Sequence, residues 1–120
     1  MANGTIAQPP ITGTSNGWTY MRVGNNVFAW YFSQITEVNV NTQWVSGTYR
    51  SGELQAAPYP TFLKDGYKVS ASLAKGSQSG GINLGRVLAE NNAIRVYLTC
   101  TASYTNVNCA VMVYAFGEWK

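Results

Sequence analysis

Hydrophobic and polar side chains alternate along much of the chain, and this two-residue period predicts β-strands rather than helices. In residues 93–100 the apolar Ile94, Val96 and Leu98 share one face, and residues 67–73 alternate in the same way. One face of each of these strands is therefore expected to contact a core, and the other to contact solvent.

A Gly-Asn-Asn turn at residues 24–26 lies between two aromatic segments and predicts a hairpin. Phe28, Trp30 and Phe32 share one face of its second strand. Because large aromatic side chains are most often buried, we interpret these three residues as core rather than as a binding surface.

Residues 82–90 also fit a helical stripe, but Gly85 and the short length of the segment favour a strand. Residues 17–120 then hold about seven to nine strands and no convincing helix. The predicted fold is all-β: a single antiparallel β-sandwich, jelly-roll-like or similar. Residues 1–16 carry Pro, Gly and polar residues without a period, so we interpret them as a linker to a stalk.

The closing stretch, residues 109–120, is apolar on both faces. Ala110, Met112, Tyr114 and Phe116 face one way, and Val111, Val113, Ala115 and Trp119 face the other. A strand of this kind is covered on both sides, either inside a sandwich or between a core and a neighbouring subunit. We therefore predict an oligomer interface at Met112, Tyr114, Phe116 and Trp119.

The alternation breaks down in residues 41–58, which predicts a long loop of the kind that often carries function. Trp44 and Tyr49 are large aromatics among polar neighbours there, and the C–H face of a sugar ring stacks on such rings. The alternative is that both rings fold down onto the edge of the core. Judged by position and residue type, the candidate saccharide-binding residues are Trp44, Tyr49, Arg50, Tyr104, Asn106 and Asn108.

Charge is sparse: only 11% of the residues are charged, and the net charge is +3 without a cluster of Lys or Arg. Nucleic acid is therefore not an expected partner. No apolar run is long enough to cross a bilayer, and no signal peptide is recognisable, so membrane insertion and secretion by this route are not expected.

The chemistry available for catalysis is limited. The chain has no histidine and five carboxylates, of which Glu37 and Glu53 could in principle oppose each other as a glycosidase pair. We expect no enzyme activity, no metal and no cofactor. Cys100 and Cys109 flank a polar loop and could bridge two strands of a hairpin, or stay reduced as buried apolar side chains.

Five short segments resemble one family: NGWTY at 16–20, FAWY at 28–31, APYPTF at 57–62, KVSAS at 68–72 and VYAFGEWK at 113–120. They are similar to the C-terminal head domain of receptor-binding tail-fibre and baseplate proteins of phages and prophages of Gram-positive bacteria. The likeness extends over residues 17–120, and Glu118 stands where the family more often has a basic residue.

The resemblance implies a homotrimeric β-sandwich at the tip of a fibre, joined to an upstream stalk and bound to a host cell-surface glycan. It implies synthesis in the host cytoplasm and a place at the virion tail tip after lysis. The alternatives are a purely structural domain that caps a trimer and, less favoured, a small glycan-cleaving enzyme.

Overall fold

The computed structural model describes residues 9–76, 82–90 and 92–120, and within them the chain forms ten strands. In chain order they are β1 (Ile11–Ser15), β2 (Trp18–Val23), β3 (Asn26–Val40), β4 (Thr42–Val45), β5 (Thr48–Arg50), β6 (Leu54–Pro58), β7 (Lys68–Gly76), β8 (Asn83–Glu90), β9 (Ala93–Cys100) and β10 (Tyr104–Glu118). Residues 1–8 of the predicted linker lie outside the described residues.

The strands make two antiparallel sheets. The first, here called the front sheet, has the order β1-β2-β3-β10-β7. The second, here called the back sheet, has the order β4-β5-β9-β6, and β8 pairs with β9 as well. The predicted all-β, antiparallel, sandwich-like fold is confirmed.

Ten strands exceed the seven to nine predicted, for two local reasons. Residues 11–15, inside the segment interpreted as a linker, form β1 and pair with β2. Residues 41–58, predicted as a loop, contain β4, β5 and β6. These strands have only three to five residues, and so short a run shows no readable alternation.

The front sheet is built around β3 and β10, which have fifteen residues each and pair along most of their length. β10 also pairs with β7, so it lies inside the sheet rather than at its edge. Val111, Val113 and Ala115 on its inner face are fully buried. The inner face of the closing strand therefore forms core, as its sequence predicts.

The core lies between the two sheets, and Trp18 connects them. Its side chain is fully buried, and its ring lies 5.5 Å from that of Tyr31 and 6.4 Å from that of Phe62, between centroids. Its indole N–H donates a hydrogen bond of 3.0 Å to the carbonyl of Pro58 in β6. The fully buried residues Ile94, Val96 and Leu98 of β9 form the opposite wall of the core, as predicted.

A single buried hydroxyl fixes the connection between β5 and β6 to the back sheet. Ser51 is fully buried, and its oxygen accepts a hydrogen bond of 2.9 Å from the Leu98 amide and donates one of 2.7 Å to the Gly52 carbonyl. Because both partners are backbone groups, this serine continues the ladder where β5 and β6 leave a gap beside β9.

The sandwich is elongated, with extents of 61 × 28 × 24 Å, and its two ends differ. At the end here called proximal, Ile11 pairs with Arg22, and the Trp119 amide donates a hydrogen bond to the Asn25 carbonyl. At the opposite end, here called distal, β3 ends at Val40 opposite Tyr104. The described chain therefore begins and ends at the proximal end.

The two cysteines lie in different sheets. Cys100 ends β9 in the back sheet, and Cys109 lies in β10 of the front sheet. Both are buried and unbridged. Of the two possibilities left open by the sequence, the structure has reduced, buried thiols without a disulfide, because β10 pairs with β3 and β7 rather than with β9.

The link made by Trp18 can be tested by two substitutions. Trp18→Phe keeps a ring but loses the hydrogen bond to β6, which should cost about 1–3 kcal/mol of unfolding free energy. Trp18→Ala should cost about 3–5 kcal/mol. Urea unfolding measures both losses of unfolding free energy. Trp44→Phe, at an exposed tryptophan, is the matched control and should change the unfolding free energy by no more than about 0.5 kcal/mol. Equal effects at Trp18 and Trp44 would refute this role.

The reactivity of the two cysteines tests whether they are buried and reduced, as in the structure. Burial raises the pKa of the Cys109 thiol and lowers its thiolate fraction at neutral pH. Ellman's reagent should therefore react slowly with the folded protein, and rapidly with two thiols per chain in denaturant without reductant. A chain that shows no reactive thiol in denaturant until it is reduced contains a disulfide, contrary to the structure.

Candidate functional site

The outer surface of the front sheet is aromatic. Cross-strand partners Tyr114 and Trp30, Phe116 and Phe28, and Met112 and Phe32 lie side by side on it. The Phe28 ring is 4.9 Å from that of Phe116 and 6.0 Å from that of Tyr114, between centroids. We call this surface the aromatic face; its residues are Met21, Phe28, Trp30, Phe32, Met112, Tyr114 and Phe116.

The aromatic face is partly exposed in the single chain. Phe32 is 52% exposed, Phe116 43% and Met21 38%. Since aromatic side chains cover about 150–250 Å² each, the face offers on the order of 400 Å² of accessible apolar surface. Contiguous apolar patches of this size on soluble proteins commonly mark interaction sites.

Polar side chains border the aromatic face, and one of them, Lys68 of β7 opposite Phe116, is charged. Ser70 and Ser72 of β7 lie opposite Tyr114 and Met112. Thr19 of β2 lies opposite Trp30 on the other side. An apolar centre with few charges and a polar border has the composition of a protein–protein interface.

The structure brings together three of the four residues predicted for the oligomer interface. Met112, Tyr114 and Phe116 lie on the aromatic face. Trp119 lies elsewhere: its ring is 5.1 Å from that of Tyr20, and the Arg22 guanidinium lies 4.5 Å over it. Trp119 covers the proximal end of the core of its own chain.

The interpretation of Phe28, Trp30 and Phe32 as core is wrong. All three belong to the outer surface of the front sheet, and none is among the buried residues of the core. The inner face of β3 is instead formed by Val27, Ala29 and Ile35. The signal was present in the sequence, because residues 27–32 of β3 are apolar on both faces just as residues 109–116 of β10 are.

The predicted saccharide-binding residues lie toward the distal end, but they do not form one exposed cluster. Trp44 is in the β4–β5 hairpin and is 51% exposed. Tyr49 and Tyr104 are half-buried and pack against the core, in line with the alternative that rings fold onto its edge. Arg50 lies at the end of β5, with its guanidinium 5.3 Å over the Tyr97 ring.

Asn106 and Asn108 lie where the pairing of β10 with β3 is irregular. The side-chain oxygen of Asn108 accepts a hydrogen bond of 2.9 Å from the Glu37 amide. The Asn106 amide donates one of 3.2 Å to the side chain of Asn39. Glu37 and Asn106 have positive φ angles of 55° and 54°, so these asparagine contacts support an irregular backbone.

The two carboxylates considered as a glycosidase pair belong to different sheets. Glu37 is in β3 of the front sheet. Glu53 precedes β6 of the back sheet, 3.6 Å from the Arg95 guanidinium, and accepts a hydrogen bond of 3.2 Å from the Tyr97 hydroxyl. Across residues 9–76, 82–90 and 92–120, no three His, Cys, Asp or Glu side chains group in a way that could hold a metal ion. The same residues contain no apolar helix of membrane-spanning length.

Two adjoining depressions of about 300 and 250 Å³ lie at the proximal end, and Asp65 and Tyr67 line both. Burial, and then the neighbouring Tyr59 and Asp65, raise the pKa of the Tyr67 hydroxyl. The phenol therefore stays protonated at neutral pH. The nearby Lys64 and Glu118 form an exposed ion pair with each other. Neither this pair nor the Tyr67 phenol is therefore an activated nucleophile.

Comparison with known proteins gives little more than a distant likeness. No family model matches the sequence, and no curated protein matches it. Among solved structures, the P. aeruginosa R1 pyocin fiber comprising C-terminal residues 323–701 is similar, with 11% identity and a TM-score of 0.44. The match covers 92% of this chain and 28% of that one, so this chain spans little more than a quarter of the pyocin fibre structure.

At so low a TM-score we base no argument on this likeness. It gives no support for an origin in Gram-positive bacteria, which stays a prediction from the sequence resemblance. The class of protein defined by the fold and the surface is a two-sheet antiparallel β-protein with an aromatic outer face.

Proposed function

We propose that this chain is the head domain at the tip of a phage or prophage tail fibre, assembled as a homotrimer and bound to a host cell-surface saccharide. The single observation that carries the proposal is the partly exposed aromatic face, which lies where the sequence predicts an oligomer interface. The place at a fibre tip, the three-fold assembly and the saccharide ligand come from the sequence resemblance to tail-fibre head domains.

A second copy of the chain is the occupant that best fits the aromatic face. The face is self-complementary in chemistry, because every side chain on it is aromatic or a methionine. The exposed apolar area of the face, on the order of 400 Å², is about half of the ~800 Å² that each partner commonly buries in a stable interface. The Ser and Thr side chains of its border can supply the remaining area and the hydrogen bonds.

The direction of the chain supports a fibre tip. The described chain begins at the proximal end, so a stalk joined upstream would lie there and leave the distal end pointing away from it. The exposed Trp44 of the β4–β5 hairpin would then face the host surface. Three weak saccharide sites on one trimer would gain avidity of about 10²–10⁴. The proposal includes synthesis in the host cytoplasm and release by lysis.

A purely structural, trimer-capping role is the second candidate, and particular contacts favour it. The side-chain oxygen of Asn108 is engaged by the Glu37 amide, and Tyr49 and Tyr104 pack against the core. Together with Arg50, whose guanidinium lies over the Tyr97 ring, four of the six residues predicted to bind saccharide thus have structural contacts in their own chain. No observation favours the glycan-cleaving alternative, since Glu53 is paired with Arg95.

Assembly through the aromatic face can be tested by light scattering. The intact protein should give three times 13.1 kDa, about 39 kDa. Phe32→Asp places a charge in the face and should release monomers that remain folded, because Phe32 is outside the core. Val45→Asp is the matched control, since Val45 is 58% exposed but lies on the β4–β5 hairpin. A monomer at micromolar concentration, or equal effects of both variants, would contradict the proposal; a stable dimer would contradict its three-fold symmetry.

Saccharide binding at the distal end can be tested on an array of bacterial surface glycans. The trimer should bind a subset of them, and Trp44→Ala should lose most of the signal, since the weakening at each site is multiplied through avidity. Val45→Ala, on the same hairpin, should bind as the unaltered protein does. An intact trimer that binds no glycan would favour the structural candidate.

A further inference from the structure

The outer surface of the back sheet has a chemistry opposite to that of the aromatic face. Arg95, Tyr97 and Thr99 of β9 point outward, because their neighbours in sequence form the core. Register places Arg50 of β5 opposite Thr99, and Arg86 of β8 opposite Tyr97. Three of the four arginines of the chain therefore share this surface, which we call the arginine face.

Two of these arginines are available to a ligand, while the third is engaged by Glu53. The Glu53 carboxylate lies 3.6 Å from the Arg95 guanidinium and also accepts a hydrogen bond from the Tyr97 hydroxyl. Within the described ranges, no carboxylate lies within ion-pair distance of Arg50 or Arg86. Glu90, the one acidic residue of β8, is four residues from Arg86, roughly 13 Å along the strand.

The guanidinium of Arg50 is held in place before any ligand arrives. It lies 5.3 Å over the Tyr97 ring, and one of its nitrogens donates a hydrogen bond of 3.0 Å to the Ser51 carbonyl. Tyr97 in turn is held by its hydrogen bond to Glu53. A positioned guanidinium loses less entropy when it binds an anion than a freely rotating one does.

A β-bulge places Arg86 on this surface. Leu84 pairs with Leu98 and Arg86 with Tyr97, so Gly85 is an extra residue in β8. Without the bulge, Arg86 would lie opposite Val96 and point into the core. Gly85 is also the residue the bulge requires, because a Cβ there would lie 2.6 Å from the Thr99 methyl carbon.

We propose that the arginine face binds the acidic group, a carboxylate or a phosphate, of a cell-surface saccharide between Arg50 and Arg86. Their Cα atoms lie roughly 10–12 Å apart across β9, a distance that two arginine side chains can close around one anion. The inference rests on the proposed function, in which the aromatic face is covered by other copies. The arginine face is on the opposite outer surface of the sandwich, so assembly leaves it open.

The test follows the arginine Nε–H signals of the intact protein by NMR during titration with three probes. Trigalacturonate carries carboxylates, a sugar phosphate carries phosphate, and maltotriose is neutral. The signals of Arg50 and Arg86 should shift with one or both acidic probes and not with maltotriose, and the tighter acidic probe gives the class of acid. No shift with either acid, or equal shifts with maltotriose, would overturn the inference.

Matched variants separate a specific site from general attraction. Arg86→Gln should weaken acid binding about tenfold or more, and Arg86→Lys less, because lysine keeps the charge but lacks the planar fork. Lys120→Gln removes the same charge at the proximal end and should leave affinity unchanged. Equal weakening by Arg86→Gln and Lys120→Gln would show net-charge attraction only and overturn the site.

The outcome is also separable from that of the proposed function. If the trimer forms and binds neutral glycans through Trp44 while acidic probes leave Arg50 and Arg86 unshifted, the arginine face is refuted and the proposed function stands. If acidic probes bind at the arginine face of a protein that stays monomeric, the anion site stands and the trimeric fibre tip is refuted.

Discussion

The pairing of β3 with β10 is the constraint on which the rest of the structure depends. Both strands have fifteen residues, and where residues 27–32 of β3 pair with residues 112–117 of β10 both are apolar on each face. Their inner side chains form the core against the back sheet, and their outer aromatic side chains pack against one another but stay partly exposed. A strand pair that is apolar on both faces thus forms the core of the sandwich with one face and leaves a partly exposed apolar surface on the other.

The two outer surfaces of the sandwich consequently differ in what they can bind. The aromatic face lacks charge at its centre, so it gains most from the exclusion of water by another apolar surface. The arginine face is polar and holds three guanidinium groups, of which, within the described ranges, only that of Arg95 lies within ion-pair distance of a carboxylate. In our account, self-association on one side and ligand binding on the other do not compete, because the core separates them.

Sequence patterns predicted the fold well where strands are long and one-sided. The alternation of Ile94, Val96 and Leu98 and the turn before Asn26 were both confirmed. The patterns failed in three- to five-residue strands such as β5, and at Trp30, where a hydrophobic side chain lies on the outer surface. They also missed the arginine face: Arg50 is distant in sequence from Arg86 and Arg95, and only the strand register and the bulge at Gly85 bring all three to one surface.

The central claim is that the aromatic face is covered by other copies of the chain. Hydroxyl-radical footprinting of the protein at assembly concentration tests it most directly, because oxidation reports the solvent access of individual side chains. Our account predicts that Trp30 and Phe32 are oxidised as slowly as the buried Trp18, while the exposed Trp44 is oxidised rapidly. If Phe32 and Trp30 are instead oxidised at the rate expected from their exposure in a single chain, the face is open to water and the account is wrong.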